Sequence, residues 1–154
     1  MIRPPIQANY GQFQDAALFM APVRTFIVED SPIILDNLVA TLEELTPVHV
    51  VGSAPDEEAA VKWLTVDGRD VDLVIIDVFL KGGSGLGVLK RATQNNLPGK
   101  RVVLTNYATT EMRKKCLELG ADRVFDKSNE LDDLVIYCAR LSDGDGNTDP
   151  GALT

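Results

Sequence analysis

Residues 71–85 read V-D-L-V-I-I-D-V-F-L-K-G-G-S-G, so that a run of branched apolar residues, Leu73 to Ile76, ends on one carboxylate, Asp77, and passes at once into a glycine-rich loop. A run this short, with no polar alternation, is the pattern of a strand buried on both faces of a parallel sheet. Asp77 then stands at the carboxyl end of that strand. In open α/β sheets this is the edge where ligands bind, in the crevice at a topological switch point.

The remainder of the chain repeats the alternation. Short β-branched runs at 23–28, 48–54, 101–105 and 122–126 predict four more strands. Helices are predicted at 32–45, 56–66, 86–95, 109–119 and 129–141. Ser31 is a fitting N-cap for the first, with Pro32 at a position where the missing amide costs nothing. Its predicted apolar face carries Ile34, Leu38 and Leu45, widened by Leu35, Val39 and Leu42. Gly68 and Gly120 are expected to close the second and fourth helices. Strands and helices in strict alternation, with short connections, predict a doubly wound parallel sheet with helices on both faces.

The frame around this core is simple. A chain of 154 residues without repeats predicts one domain, 23–141, with an N-terminal extension at 1–22 and a flexible Asp- and Gly-rich tail at 142–154. A helical turn is expected near residues 15–20 of the extension. The net charge of −8, with scattered Lys and Arg, argues against direct nucleic-acid contact. No apolar run approaches the ~20 residues that span a bilayer, and the N-terminal piece lacks a signal-peptide core. Cys116 and Cys138 lie in apolar-periodic segments without metal-ligand spacing, which predicts buried free thiols in a reducing cytosol. The chain's one histidine, His49, near the start of the second strand, is read as a structural or exposed residue.

The chemistry collects at one edge. The first strand delivers Glu29 and Asp30, the third Asp77, the fourth Thr105 and the fifth Lys127. Three carboxylates in one crevice repel one another unless a cation sits among them, and hard oxygen ligands with room for water suit Mg²⁺. A metal, a carboxylate nucleophile, a hydroxyl and an ammonium suit phosphoryl transfer, where positioning and charge neutralisation do most of the catalysis. Asp77 is then the acceptor and forms an aspartyl phosphate.

This order of residues, together with Lys127 following G-A-D-R-V-F-D, resembles the receiver domain of two-component response regulators over about residues 23–141. The resemblance implies a flavodoxin-like fold with strand order 2-1-3-4-5. It also implies a sensor histidine kinase or His-containing phosphotransfer protein as phosphodonor, a downstream protein target and a cytoplasmic location. Carried over residue by residue, Asp30 and Glu29 are the metal-binding acidic pair and Asp77 the phosphoacceptor and metal ligand. Phe79 supplies a main-chain carbonyl to the metal, Thr105 the switch hydroxyl, and Lys127 the phosphoryl-binding ammonium.

The chain departs from the family pattern in several places. Val124 stands where an aromatic residue is usual, Lys81-Gly82-Gly83 replaces a common proline, and Asn106 and Tyr107 follow Thr105. Phe125, beside Val124, is expected to point to the opposite face. Phe79 and Tyr107 are expected to shield the phosphoryl group and slow its hydrolysis. Output is expected through the last two helices and the strand between them, with Glu111, Lys115 and Arg123 as candidate contacts. Two other readings are a docking-only receiver and an aspartyl-phosphate phosphohydrolase, and Phe79 is where the latter would want a second aspartate. With little chain after the last helix, the expectation is a stand-alone receiver, not an enzyme, or a fragment of a longer regulator.

Overall fold

The computed structural model describes residues 21–142, so the expected turn at 15–20 and most of the tail lie outside the described residues. In chain order the elements are β1 (Val23–Val28), α1 (Pro32–Leu45), β2 (Val48–Ala54), α2 (Glu57–Asp67), β3 (Leu73–Ile76), α3 (Gly85–Gln94), β4 (Lys100–Thr105), α4 (Thr110–Glu118), β5 (Arg123–Asp126) and α5 (Leu131–Ser142), with a short 3-10 turn at Gly68–Asp70. Among the described residues the five strands form one parallel sheet in the order β2-β1-β3-β4-β5, as the resemblance implied.

Strand alternation sorts the core into two layers. Phe26, Val28, Val74, Ile76, Val103 and Val124 pack on the side of α2, α3 and α4. Ile27, Leu73, Ile75, Val102, Leu104 and Phe125 pack on the side of α1 and α5. Val124 and its neighbour Phe125 therefore face opposite layers, as period two requires. Phe125 lies edge-on to Tyr137 at 5.8 Å between ring centroids.

Helix starts follow capping chemistry. Ser31, Asp56, Ser84 and Thr109 are N-caps whose side chains accept from Ile34, Ala59, Leu86 and Met112 amides. Asp56 and Thr109 thus precede their helices instead of opening them. The last helix begins at Leu131, two residues later than expected, because the Ser128 and Asn129 amides both donate to Asp126 Oδ1, at 2.7 and 3.2 Å. That turn holds the chain out of the helix. The face of α1 also differs from expectation. Leu38 and Leu42 are buried, whereas Ile34 is 41% and Leu45 60% exposed. The stripe touching the sheet is centred on Leu38 and Leu42, and Ile34 faces a groove beside Lys127 instead. Cys116 and Cys138 are buried free thiols. His49 is exposed, near Glu43.

The β1–β2 pairing carries a bulge, where the register steps from Thr25↔Val50 to Phe26↔Gly52. Trp63 of α2 stacks on Phe26 at 4.3 Å and covers Gly52, where a Cβ would lie 2.7 Å from the indole. Gly52→Ala is expected to push the stacked ring aside and cost ~1–3 kcal/mol. Trp63 is the chain's single tryptophan. Its emission should shift while urea unfolding registers the loss; an unchanged spectrum and midpoint would contradict the packing argument.

Candidate functional site

Parallel register brings the strand ends level. Val28 pairs with Ile76, so Glu29 and Asp77 leave the sheet side by side. Thr105 pairs with Asp126, which puts Lys127 one residue past the end of β5. Backbone bonds continue the sheet into the crevice: the Asp77 amide donates to Val28 O at 3.0 Å, and the Lys127 amide to Thr105 O at 2.9 Å. A covering of apolar residues on both faces leaves this edge as the place where polar side chains converge.

Glu29, Thr105 and Asp77 are buried, at 5, 0 and 8% exposure. Lys127 Nζ donates to Glu29 Oε1 at 2.8 Å and to Asp77 Oδ2 at 3.0 Å. The other Glu29 oxygen accepts from the Ser31 amide, and Asp77 Oδ1 from the Phe79 amide at 3.3 Å. Asp30 is half-buried, and its Oδ2 accepts the Lys81 amide at 2.8 Å. Glu29, Asp30 and Asp77 each offer an oxygen within 4.8 Å of the others. Such a set of carboxylates fits a hard divalent cation, with space left for water or substrate oxygens. The Thr105 hydroxyl accepts from the Tyr107 amide at 3.1 Å, so its hydrogen is available to another acceptor.

The electrostatics match this geometry. Burial raises the Asp77 pKa above the ordinary aspartate value, and the nearby Glu29 charge adds to it; the Lys127 hydrogen bond and charge oppose but do not cancel the rise. Burial alone would depress the Lys127 ammonium, yet its bonds to Glu29 and Asp77 outweigh that and raise it. The lysine is therefore a firmly charged cation, and Asp77 is a more basic carboxylate than a solvated one.

Phe79 and Tyr107, the pair expected to shield the phosphoryl group, are 55 and 63% exposed and meet edge-on at 5.7 Å between ring centroids. Another feature of the site was not visible in the sequence. Arg113 ties three segments around the site together: Nε donates to Ala108 O and Nη1 to Val124 O, both at 3.0 Å, and Nη2 to Glu130 Oε1 at 2.6 Å. It thus links the loop after Thr105, strand β5 and the approach to α5 beside Val124. A basic residue in an amphipathic helix carries no signal of such a role. Of the candidate output contacts, Glu111 and Lys115 are exposed. Arg123 is engaged, its guanidinium 4.9 Å from the Phe125 ring centroid and 5.6 Å from that of Tyr137.

Known proteins carry the same architecture. The family model of the response regulator receiver domain matches residues 25–139. Transcriptional regulatory protein TcrA of Mycobacterium tuberculosis is 33% identical over 120 residues, which are 78% of this chain and 46% of TcrA. Transcriptional regulatory protein CitB of Klebsiella pneumoniae is 30% identical over 107 residues, 70% of this chain and 44% of CitB. The match therefore spans less than half the length of these relatives. Among solved structures, the isolated receiver domain of RcsB from Salmonella enterica serovar Typhimurium gives a TM-score of 0.70 at 25% identity, covering 80% of this chain and 91% of that one. The receiver domain of NarL from Mycobacterium tuberculosis shares the fold, with a TM-score of 0.70 at 22% identity over 80% of this chain and 98% of its own. The family match runs from within β1 to within α5 and takes in every residue of the crevice, and the chain belongs to the response regulator receiver domain family.

Proposed function

We propose that this protein is a phosphorylation-dependent switch, which takes a phosphoryl group on Asp77 from a phosphohistidine of a sensor histidine kinase or phosphotransfer protein. The observation that carries the reading is the cluster of Glu29, Asp30 and Asp77 oxygens within 4.8 Å, with Lys127 Nζ bridging two of the three residues. Glu29, Asp30, Asp77 and the Phe79 carbonyl would hold Mg²⁺. Bound there, the ion would neutralise charge developing on the phosphoryl oxygens.

An Asp77 carboxylate oxygen attacks phosphorus, the P–N bond to the donor imidazole breaks, and a P–O bond forms. The imidazole leaves with the electron pair of the broken bond. Asp77 loses its own charge to the acyl phosphate, so the Lys127 ammonium is freed from Oδ2 to meet a phosphoryl oxygen. The Thr105 hydroxyl donates to another. A groove of ≈ 290 Å³ lined by Ile34, Leu38, Leu104, Asn106, Lys127 and Leu131 opens beside the site. With Ile33 74% and Ile34 41% exposed next to it, α1 offers the phosphodonor protein an apolar approach.

The reading extends to domain limits at 23–141, to a cytoplasmic protein and to output by protein contact. Among the described residues no helix is long and apolar enough to cross a membrane. The relatives named as transcriptional regulators are longer chains, and their names describe those whole proteins.

The test is intact-protein mass after incubation with acetyl phosphate, with and without Mg²⁺, followed by reductive trapping to locate the adduct. One Mg²⁺-dependent phosphoryl group on Asp77 is expected. Absence of any adduct with the donor intact would leave a docking-only receiver, and donor hydrolysis without an adduct a phosphohydrolase.

Phe79 and Tyr107 meet edge-on at 5.7 Å on the loops that follow Asp77 and Thr105, and on this reading they hinder a water attacking the acyl phosphate. Phe79→Ala and Tyr107→Ala are each expected to shorten its lifetime about three- to tenfold, equivalent to roughly 1 kcal/mol of barrier. Decay curves of the isolated phosphoprotein check this, and unchanged decay in both variants would remove the shielding role.

A further inference from the structure

We propose that Glu57, at the start of α2, is a positioning residue for the metal side of the crevice, acting through the glycine-rich loop between β3 and α3. The inference rests on the reading of the site given above.

Three hydrogen bonds fasten Glu57 to that loop and the helix after it. Its amide donates to Gly82 O at 3.0 Å, its Oε1 accepts the Ser84 amide at 3.0 Å, and its Oε2 accepts from Arg91 Nη1 of α3 at 3.3 Å. The carboxylate sits in a space that only glycines leave open. A Cβ at Gly83 would lie 2.5 Å from Glu57 Cβ, and one at Gly87 2.3 Å from Glu57 Oε1. Gly83 also has φ +74°, which disfavours other residues there. The Glu57 side chain is 20% exposed, so its bonds compete little with water.

The path from Glu57 to the crevice is short. Ser84, held by Glu57, pairs with Phe79 in an antiparallel bridge, and the adjoining Gly85 amide donates to Val78 O at 2.9 Å. Phe79 is the residue whose carbonyl would face the metal, and Val78 follows Asp77. At the other side of the loop the Lys81 amide is held by Asp30. The loop is thus suspended between two carboxylates, Asp30 on the metal side and Glu57 on the far side. Glycines at 82 and 83 would otherwise leave it many conformations. Without Glu57, the ion would itself have to order the loop before Phe79 could serve as a ligand, and affinity would fall accordingly.

Calorimetric titration of the full chain with Mg²⁺, in parallel with amide hydrogen exchange in metal-free buffer, tests this. Glu57→Ala is expected to weaken Mg²⁺ binding about tenfold, and to speed exchange of the Ser84 amide. Glu57→Gln keeps an acceptor for Ser84 and should recover most of the affinity. Gly87→Ala approaches the same contact from the opposite side: its methyl displaces Oε1 from Ser84 while alanine favours the helix. A Gly87→Ala protein that is no less stable yet binds Mg²⁺ about tenfold more weakly separates positioning from general destabilisation. Wild type that binds Mg²⁺ together with Glu57→Ala and Gly87→Ala proteins within twofold of it would overturn this inference alone. Wild type that binds no Mg²⁺ would overturn the reading of the site with it.

Discussion

Asp77→Asn is expected to abolish phosphoryl uptake and yet leave the metal-free protein at least as stable as wild type at neutral pH. The loss of uptake follows from the chemistry, because the amide is not a nucleophile toward phosphorus, and the neighbouring carboxylates are engaged, Glu29 by Lys127 and the Ser31 amide and Asp30 by the Lys81 amide. The stability claim follows from the burial of the group. Asp77 is 8% exposed, and its pKa is raised, chiefly by burial and further by Glu29, against the pull of Lys127. A carboxyl group whose folded pKa lies above its unfolded one binds a proton more readily when folded. Folding therefore disfavours its ionised form at every pH above the unfolded value, by an amount that grows until pH passes the folded pKa and then levels off. Asparagine carries no such penalty and still offers an oxygen to Lys127. Its advantage over wild type should be absent in acid and appear as pH rises through the carboxylate range. Thermal melts in chelator across that range check the sign, and an Asn variant that melts well below wild type at pH 7 would contradict it. On the proposed role of Asp77, the cost of keeping this carboxylate charged is the ordinary trade of stability for a reactive site.

How far the sequence discloses such a site depends on the kind of residue. Thr105 ends its strand and Glu29, Asp30, Asp77 and Lys127 follow theirs within two residues, and parallel strands deliver their carboxyl ends to one edge, so the convergence is legible from position alone. The facing of Val124 and Phe125 into opposite layers is legible for the same reason, since strand period admits no other outcome. Helices are less determinate. The apolar stripe of α1 is wide, and periodicity does not tell that Leu38 and Leu42 meet the sheet while Ile34 looks into the groove beside Lys127. Loops are the least legible. Glu57 reads as an ordinary acidic residue at a helix start, and only the folded chain shows its carboxylate between Gly83 and Gly87, on the Ser84 amide. Arg113 is likewise a surface cation in the sequence, but in the fold its guanidinium joins Ala108, Val124 and Glu130. These contacts depend on where loops cross, and no local period encodes that.

Lys127→Met should produce the largest loss of stability among substitutions in the crevice, about 3 kcal/mol in metal-free buffer at pH 7. Methionine keeps the length and apolar stem of the lysine and deletes the charge. Glu29 and Asp77, with side chains 4 and 10% exposed, would then be buried near each other without the ammonium that now bonds to both. In wild type the lysine's folded pKa is raised, as its two carboxylate partners outweigh burial. While those carboxylates are ionised its stabilising contribution is therefore complete below the ordinary lysine value, and it is lost at the alkaline end only as pH passes the raised one. In the variant, one of the stranded carboxylates can escape the repulsion by taking a proton, so the deficit should shrink as pH falls. Mg²⁺ offers a second escape. A cation held by Glu29, Asp30 and Asp77 replaces the missing charge and binds only the folded form, so added Mg²⁺ should narrow the gap between variant and wild type. Urea unfolding with and without Mg²⁺, at pH 7 and near pH 5, separates the contributions. A deficit that is the same under all these conditions would mean that Lys127 stabilises the fold through its stem alone, and that the carboxylates need no cation.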